Sequence, residues 1–389
     1  LITLIIKVFF CLYIVFFILF NNLLIIIRTN MKIFNFSAGP ACLPSDVLKA
    51  ASKASLDYNN SGISLMEMSH RSIDVMNLFD EATKRVKELL NLPSNYHPLW
   101  LQGGASSQFS MVPLNLLPID GVADYIETGS WSTKAIKECS IVGNVNISGT
   151  SKETNFNHIP KNLSQNQNSS YLHITSNNTI YGTQFQKFPI PLKTESYLVA
   201  DMSSDIFSRK FDVSKFGLIY AGAQKNMGPA GVTLVIIRDD LVGLNHRKLH
   251  TMLNYETHVE KKSMFNTPPV FSVFVVNETL KWLEKNGGLM KIEKANIQKA
   301  QKLYNEIDSN EHFYCPVEKE DRSYMNVPFV FSNSNNNDAD FLSFCDKRGL
   351  KTLKGHRSVG GFRASIYNAM PESGVDALID TIKEYSKKI

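Results

Sequence analysis

Short runs of β-branched and aromatic residues recur along this chain, and segments with helical periodicity separate them. One such segment, 75–90, carries apolar residues at i, i+3, i+4 and i+7 positions and ends just before Pro93. Apolar strands that alternate with helices are typical of an α/β fold with a mostly parallel sheet, which is the fold class we predict. The predicted strands are 97–101, 123–126, 171–174, 197–200, 218–220 and 232–237.

The C-terminal third of the chain has a pattern of its own. A helical stretch, 270–307, is interrupted at 286–288 by Asn-Gly-Gly, a sequence that suits a helix C-cap and a hinge between domains. A strand at 327–331 and a terminal amphipathic helix at 375–385 then predict a smaller α/β unit. The length of 389 residues is sufficient for two domains. The polar segment 151–170, rich in Asn, Ser and Gln, is predicted to be a surface loop.

The first thirty residues are almost wholly apolar and are long enough for a transmembrane helix. Three interpretations compete: upstream sequence translated in frame, a membrane anchor, or a targeting peptide. The chain begins with Leu1, and globular patterning begins at Met31. These two observations favour the first interpretation, with Met31 as the natural start.

Composition narrows the class of protein. The net charge of +5 is spread without long basic runs, which argues against a nucleic-acid-binding protein. The cysteines form no Cys-x-x-Cys pair, so nothing supports a metal site or a thioredoxin-type motif. Their odd, scattered number suggests a reducing compartment, and we expect a cytoplasmic location. The five are Cys11, Cys42, Cys139, Cys315 and Cys345.

Lys225 and Asp201 each follow an apolar run that predicts a buried strand. A lysine in that position is partly shielded from water, and shielding favours the neutral, nucleophilic amine. The pair suits pyridoxal phosphate: the lysine would form a Schiff base, and the carboxylate would keep the pyridine nitrogen protonated. The alternative is that Lys225 is an ordinary solvated loop residue.

Two further segments suit the same cofactor. Ala105 and Ser106 follow a Gly-Gly turn that opens a helix, where backbone N–H groups can bind a phosphate. Trp131 follows another predicted strand and could stack on a flat ring. The alternatives are a simple tight turn at 103–104 and a tryptophan of the core or of an interface.

Two His-Arg pairs and one further arginine are candidates for an anion site. Glycines surround the second pair and the last arginine. An arginine side chain can bind a carboxylate or a phosphate through two hydrogen bonds. This combination suits a substrate that carries both a phosphate and a carboxylate, although a solvated basic loop is the alternative. The residues are His70, Arg71, His356, Arg357 and Arg363.

From residue 31 to 389 the chain resembles the phosphoserine aminotransferase family, class V enzymes of fold type I that use pyridoxal phosphate. The matching motifs are 35–40, 66–71, 103–106, 200–204, 220–229, 265–269 and 355–370. The resemblance implies a large domain with a mostly parallel seven-stranded sheet and a smaller C-terminal α/β domain. The implied boundaries are an N-terminal arm at 31–43 that associates with the small domain, a large cofactor domain at 44–287 and a small domain at 288–389.

The resemblance also implies a role for each candidate residue around the cofactor. Lys225 would hold it covalently, Asp201 would pair with its ring nitrogen, and Trp131 would stack on the ring. Thr179 would bond near the phenolic oxygen or the phosphate. The phosphate would be held by Ala105, Ser106 and Gln224, and by Asn266 and Thr267 of the partner subunit of a homodimer.

For the substrate, the resemblance implies that Arg363 binds the α-carboxylate. The other end, a phosphate or the side-chain carboxylate of glutamate, would meet two His-Arg pairs: His356 and Arg357, together with His70 and Arg71 of the partner subunit. One position departs from the family pattern, because many relatives carry an acidic residue where this chain has Asn178.

The implied reaction is a ping-pong transamination in serine biosynthesis. L-Glutamate would give its amino group and leave as 2-oxoglutarate, and 3-phosphohydroxypyruvate would become O-phospho-L-serine. Relatives in some bacteria also act on a phosphorylated hydroxythreonine in pyridoxine biosynthesis, and the sequence leaves that role open. The alternatives are another class V enzyme, such as a cysteine desulfurase with a nucleophilic cysteine, and a non-catalytic binding protein anchored by residues 1–30.

Overall fold

The computed structural model of this chain describes residues 32–244, 246–333 and 335–389. The predictions about the apolar segment 1–30 lie outside these residues. Within the described ranges, no helix combines the length and the apolar character needed to cross a membrane.

The described residues contain twelve strands and nine α-helices, which short 3-10 helices and loops connect. The strands are β1 Phe34–Asn35, β2 Tyr96–Leu101, β3 Val122–Glu127, β4 Asn144–Thr150, β5 Ser169–Thr175, β6 Tyr197–Asp201, β7 Phe216–Gly222, β8 Thr233–Arg238, β9 Phe313–Tyr314, β10 Asn326–Phe331, β11 Leu350–Lys351 and β12 Phe362–Ser365. The helices are α1 Ser45–Leu56, α2 Ile73–Leu90, α3 Gly104–Leu116, α4 Ser130–Cys139, α5 Tyr255–Glu260, α6 Val270–Lys285, α7 Gly288–Ser309, α8 Asp338–Asp346 and α9 Glu372–Ser386.

Seven of the strands form one sheet in the order β2-β8-β7-β6-β5-β3-β4. Strand β8 runs antiparallel to its neighbours β2 and β7, and the other neighbouring pairs are parallel. The predicted α/β class and the mostly parallel seven-stranded sheet are therefore confirmed. Six of the seven strands coincide with predicted ones, and β4 was not predicted.

The sheet is buried on both faces, which explains its almost continuous apolar runs. In β6, Leu198 and Ala200 pack into a core with α1, α2 and α6, whereas Tyr197 and Val199 point to a core with α3, α4 and α5. Strand β4 differs because it lies at the sheet edge and is largely exposed. An edge strand needs few apolar residues, so its polar sequence gave no strand signal.

A third core surrounds the three-stranded sheet β12-β10-β9. It joins residues of α7, α8 and α9 to Phe34 and Phe36 near the start of the described chain. The predicted interruption between α6 and α7 is confirmed, because Gly287 and Gly288 adopt positive φ angles of 95° and 68°. The domain boundaries inferred from the resemblance stay a prediction.

A buried lysine helps to attach helix α7 to the segment after β12. The Lys299 ammonium donates to the carbonyl oxygens of Ile366, Tyr367 and Met370 at 3.0, 2.8 and 3.0 Å. Burial lowers the pKa of Lys299 to about 8. All three donor positions of the ammonium are used, so its burial is compensated by hydrogen bonds.

Replacing this lysine tests how much the attachment contributes to stability. We expect Lys299→Met to lower the free energy of unfolding by about 2–4 kcal/mol, because three buried carbonyl groups lose their donor. Denaturant unfolding followed by circular dichroism measures the change. The control is Lys294→Met, which removes an exposed lysine from the same helix. Equal stability of the two variants would contradict the structural role of Lys299.

Candidate functional site

A cavity of about 580 Å³ opens at the carboxyl ends of β6 and β7. Ligands of open parallel sheets bind at this edge, because the loops after the strands converge there. Asp201 is the last residue of β6, and Lys225 lies three residues after β7. Ten of the residues predicted from the sequence line this cavity: Ala105, Ser106, Trp131, Thr179, Asp201, Gln224, Lys225, His356, Arg357 and Arg363.

Lys225 is held on two sides. Its ammonium donates a hydrogen bond to Thr179 Oγ1 at 2.7 Å, and the backbone of Gly39 lies across its side chain. A Cβ on Gly39 would stand 3.2 Å from Lys225 Cγ, and the φ of Gly39 is 156°. Burial lowers the pKa of Lys225 to about 8, Asp201 acts in the opposite direction, and the charge of Arg363 adds to the lowering. The neutral amine is therefore accessible near physiological pH.

Asp201 is buried beneath the cavity. Its Oδ1 accepts hydrogen bonds from the backbone N–H of Ser203 at 2.9 Å and from Ser203 Oγ at 2.6 Å. Burial raises the pKa of Asp201, while Lys225 and the two Ser203 bonds oppose the rise. No described residue bonds to Oδ2, which leaves that oxygen for a ligand in the cavity. Sequence reasoning missed Ser203, although a serine two residues after an aspartate is a common turn signal.

A buried histidine contacts the residue that pairs with Asp201 in the sheet. Tyr220 pairs with Asp201 across β6 and β7, and its hydroxyl lies 2.8 Å from His173 Nε2. Burial lowers the pKa of His173 to about 3, so this imidazole is neutral. The floor of the cavity therefore carries one acidic group, Asp201, and neutral polar groups behind it.

Trp131 forms one wall of the cavity. Its ring centre lies 5.2 Å from the Lys225 ammonium and 4.5 Å from the Lys134 ammonium. The indole N–H is buried, and no described residue accepts its hydrogen bond. Buried donors are almost always paired in native proteins, so this unpaired N–H distinguishes Trp131 from an ordinary core tryptophan.

Helix α3 points its N-terminus into the cavity. Gly103 has a φ of 90°, and a Cβ there would stand 1.9 Å from Ser107 Oγ, so only glycine fits. Ala105 and Ser106 lie in the first turn of the helix, where backbone N–H groups lack intrahelical acceptors. This arrangement suits a phosphate, and the phosphate-binding role of the turn stays a prediction.

Cationic side chains from β12 and the loop before it close the cavity. Arg363 donates to the backbone oxygen of Thr179 at 3.2 Å, and His356 Nδ1 lies 2.7 Å from Ser358 Oγ. The pKa of His356 is lowered by burial and by the charges of Arg363, Arg357 and Lys134. Among the described residues, none forms a hydrogen bond or ion pair with the Arg357 guanidinium, so that group is available to an anion.

Four predicted residues lie outside this cavity. His70 and Arg71 lie at the turn before α2, and Asn266 lines a separate cavity of about 200 Å³. The backbone oxygen of Thr267 accepts a hydrogen bond from Gln102 at 2.9 Å. All four were predicted to act from a partner subunit, and that role stays a prediction.

Asn178 holds the Thr179 loop with neutral contacts. Its Oδ1 accepts from Thr128 Oγ1 at 3.2 Å, and its Nδ2 donates to Thr183 Oγ1 at 3.1 Å. The departure from the family pattern therefore changes the charge at this position and leaves a buried side chain whose oxygen and nitrogen are both hydrogen-bonded.

The cysteines do not support the desulfurase alternative. Neither Cys315 nor Cys345 lines the described cavity. Burial raises the pKa of the two thiols to about 11 and about 12, so both remain protonated at neutral pH. A nucleophilic cysteine requires the opposite environment.

Residues 33–378 match the model of the aminotransferase class-V family. The chain is 49% identical to a phosphoserine aminotransferase of Desulfotalea psychrophila and 50% identical to one of Bacillus cereus; each match covers 91% of this chain and 98% of the relative. The structure of phosphoserine aminotransferase from Bacillus circulans subsp. alkalophilus superposes with a TM-score of 0.89 at 44% identity, covering 92% of this chain and 99% of that one.

A second solved structure, phosphoserine aminotransferase from Trichomonas vaginalis, contains bound pyridoxal phosphate (PLP). It matches with a TM-score of 0.86 at 40% identity over 90% of this chain and all of that one. The present chain therefore belongs to the class-V aminotransferases. Within that class, its relatives and its fold make it a member of the phosphoserine aminotransferase family.

The lowered pKa of Lys225 has a measurable consequence in the protein without cofactor. We expect the rate at which an aldehyde reagent captures Lys225 to rise with pH through a midpoint near 8, because only the neutral amine attacks. Borohydride trapping followed by peptide mass spectrometry measures this rate. Asp201→Asn should move the midpoint to lower pH, because the carboxylate that stabilises the ammonium is gone. A midpoint near 10.4, as for an exposed lysine, would contradict the inferred environment.

Proposed function

We propose that this chain transfers an amino group from L-glutamate to 3-phosphohydroxypyruvate with the help of pyridoxal phosphate, giving 2-oxoglutarate and O-phospho-L-serine. The observation that carries the proposal is one cavity in which Lys225, Asp201 and the helix N-terminus at Ser106 face Arg357 and Arg363. The first three suit the cofactor, and the two arginines suit a substrate with an anion at each end. Serine biosynthesis is the pathway that needs this product.

The residues present fit the cofactor group by group. When bound, pyridoxal phosphate supplies an electron sink for the bond that breaks at the substrate's α-carbon. Lys225 would bind it covalently, and Asp201 Oδ2 would hold the proton on the ring nitrogen. Trp131 would stack on the ring, and Thr179 would bond near the phenolic oxygen or the phosphate. The phosphate would be held by Ala105, Ser106 and Gln224, and by Asn266 and Thr267 of the partner subunit.

Lys225 also serves as the general base. Its pKa of about 8 leaves part of the amine neutral at physiological pH, as removal of the proton from the substrate's α-carbon requires. Thr179, its hydrogen-bond partner, lies between this amine and Arg363, whose guanidinium bonds the Thr179 backbone oxygen. Arg363 would bind the α-carboxylate and thereby place the α-carbon beside the amine.

One anion subsite would serve both substrates in turn. His356 and Arg357 would bind the phosphate of 3-phosphohydroxypyruvate or the distal carboxylate of L-glutamate, because guanidinium forms paired hydrogen bonds with either group. Alternating use of one site by two substrates is the basis of the proposed ping-pong order.

The active form is proposed to be a homodimer in which His70, Arg71, Asn266 and Thr267 reach the partner's site. Exposed apolar side chains next to His70 support this proposal, because such patches mark association surfaces: Met66, Ile73 and Met76. Light scattering tests the dimer. Mixing an Arg71→Ala variant with a Lys225→Ala variant, each of them impaired, should restore activity in the mixed dimers.

Three further properties belong to the same proposal. A cytoplasmic location is supported by free thiols at Cys42, Cys139, Cys315 and Cys345. The small domain is proposed to be 288–389, with the arm 31–43 packed on it through Phe34 and Phe36. An assay with 4-phosphohydroxy-L-threonine tests use of the pyridoxine-pathway substrate.

The assignment of Lys225 is tested by its removal. We expect Lys225→Ala to lose more than about 10³-fold in turnover of O-phospho-L-serine with 2-oxoglutarate, because both covalent binding and proton transfer depend on the amine. The cofactor absorbance band of the covalently bound form should also disappear, while circular dichroism should remain that of the wild type. A variant that keeps full turnover would refute the proposed mechanism.

The assignment of Arg357 is tested by comparing substrates. We expect Arg357→Ala to weaken binding of O-phospho-L-serine by about 10- to 100-fold, since a charge-assisted hydrogen bond is worth roughly 1.5–3 kcal/mol. Binding of L-alanine, which has no distal anion, should change little. Steady-state kinetics with both amino donors measure the difference. Equal losses for the two donors would argue against a phosphate-binding role.

A further inference from the structure

Lys134 has no role in the proposed chemistry, yet it lines the same cavity. It lies on α4, three residues after Trp131, and side chains at that spacing share one face of a helix. Its ammonium stands 4.5 Å from the indole ring centre. Within the part of the chain that the structure describes, the ammonium forms neither a hydrogen bond nor an ion pair. An unpaired charge at a cavity wall is free to meet a ligand.

The neighbours of Lys134 are cations. His356 and Arg357 line the cavity with it, and the charge of Lys134 contributes to the lowered pKa of His356. Apart from Lys225, three cations line the cavity, against the single carboxylate of Asp201. They are Lys134, Arg357 and Arg363. A cofactor phosphate neutralises part of this excess, and the remainder favours a substrate of high negative charge.

We propose that Lys134 is a specificity residue: the third cation, with His356 and Arg357, of the subsite for the substrate's distal anion. It favours a phosphate over a carboxylate. This inference rests on the proposed function and adds to it.

A phosphate and a carboxylate differ more in charge than in the hydrogen bonds they offer to a guanidinium. The planar guanidinium of Arg357 matches carboxylate and phosphate alike, so its geometry discriminates little between them. Lysine is a compact charge on a flexible stem. A phosphate monoester carries about −1.5 to −2 at neutral pH, nearly twice the charge of a carboxylate. A point charge nearby therefore attracts the phosphate about twice as strongly at the same distance.

The test compares Lys134→Met with Lys137→Met, a matched exposed lysine one turn later on α4 that does not line the described cavity. Absorbance titration of the holoenzyme gives the dissociation constants of O-phospho-L-serine and L-glutamate. For Lys134→Met we expect O-phospho-L-serine to bind about 5- to 10-fold more weakly and L-glutamate at most about 2-fold more weakly. Lys137→Met should match the wild type, and Lys134→Arg should recover most of the loss.

A second measurement tests whether Lys134 favours O-phospho-L-serine through its charge. The KM of the wild type for O-phospho-L-serine should rise with ionic strength, and the rise should be less steep in Lys134→Met, because one screened charge is missing. Parallel slopes in the two proteins would overturn the proposal.

Other outcomes separate this inference from the proposed function. Equal weakening of both ligands, with looser cofactor binding, would mean that Lys134 acts by holding Trp131, and it would overturn the specificity role. Unchanged dissociation constants in Lys134→Met would also overturn the specificity role. In that case the proposed function would still stand, provided that the wild type turns over O-phospho-L-serine. A wild type with no such turnover would overturn both.

Discussion

The burial of the Lys225 ammonium near the buried carboxylate of Asp201 is the constraint on which the rest of this site depends. Burial disfavours both charges, lowering the pKa of the lysine and raising that of the aspartate, and each partner opposes the shift of the other. The result is an amine that can lose its proton near neutral pH beside an acid that can keep its charge. The sheet supplies this proximity, because β6 and β7 are parallel neighbours whose carboxyl ends meet at one edge.

The C-terminal elements are joined to this edge by a buried polar network. Asn326 on β10 accepts from Asn177 at 2.8 Å and donates to Ser365 and to Tyr367 at 2.9 and 3.1 Å. The Tyr367 hydroxyl donates to the backbone oxygen of Ala38 at 2.7 Å. Directional bonds thus connect the Thr179 loop, the strand of Arg363 and the arm that lies over Lys225. Such a network specifies one arrangement, which apolar packing alone does less strictly.

Most of the sheet could be predicted from the sequence because strands buried on both faces need continuous apolar runs, as in β6 and β7. Strand β4 could not be predicted, because this edge strand is stabilised by its pairing with β3 and not by burial of apolar side chains. At the site, residues that follow strands were predictable, since chain order places Asp201 and Lys225 at strand ends. Lys134 was missed although its spacing from Trp131 predicts a shared helix face. One lysine among 41 lysines and arginines carries no signal until a cavity is known.

The neutral side chain of Asn178 affects both the hydrogen bonds of the Thr179 loop and the charge of the cavity. Its amide donates to Thr183, which a carboxylate could not do, so the neutral side chain satisfies its surroundings as they stand. An acidic residue at this position, expected from the family pattern, would place a negative charge next to Thr179, which bonds both Lys225 and Arg363. This charge would raise the pKa of Lys225, and it would neutralise part of the excess positive charge of the cavity. With asparagine there, the positive charges of Arg357, Arg363 and Lys134 remain available to ligands. The cavity therefore favours an anionic cofactor and an anionic substrate.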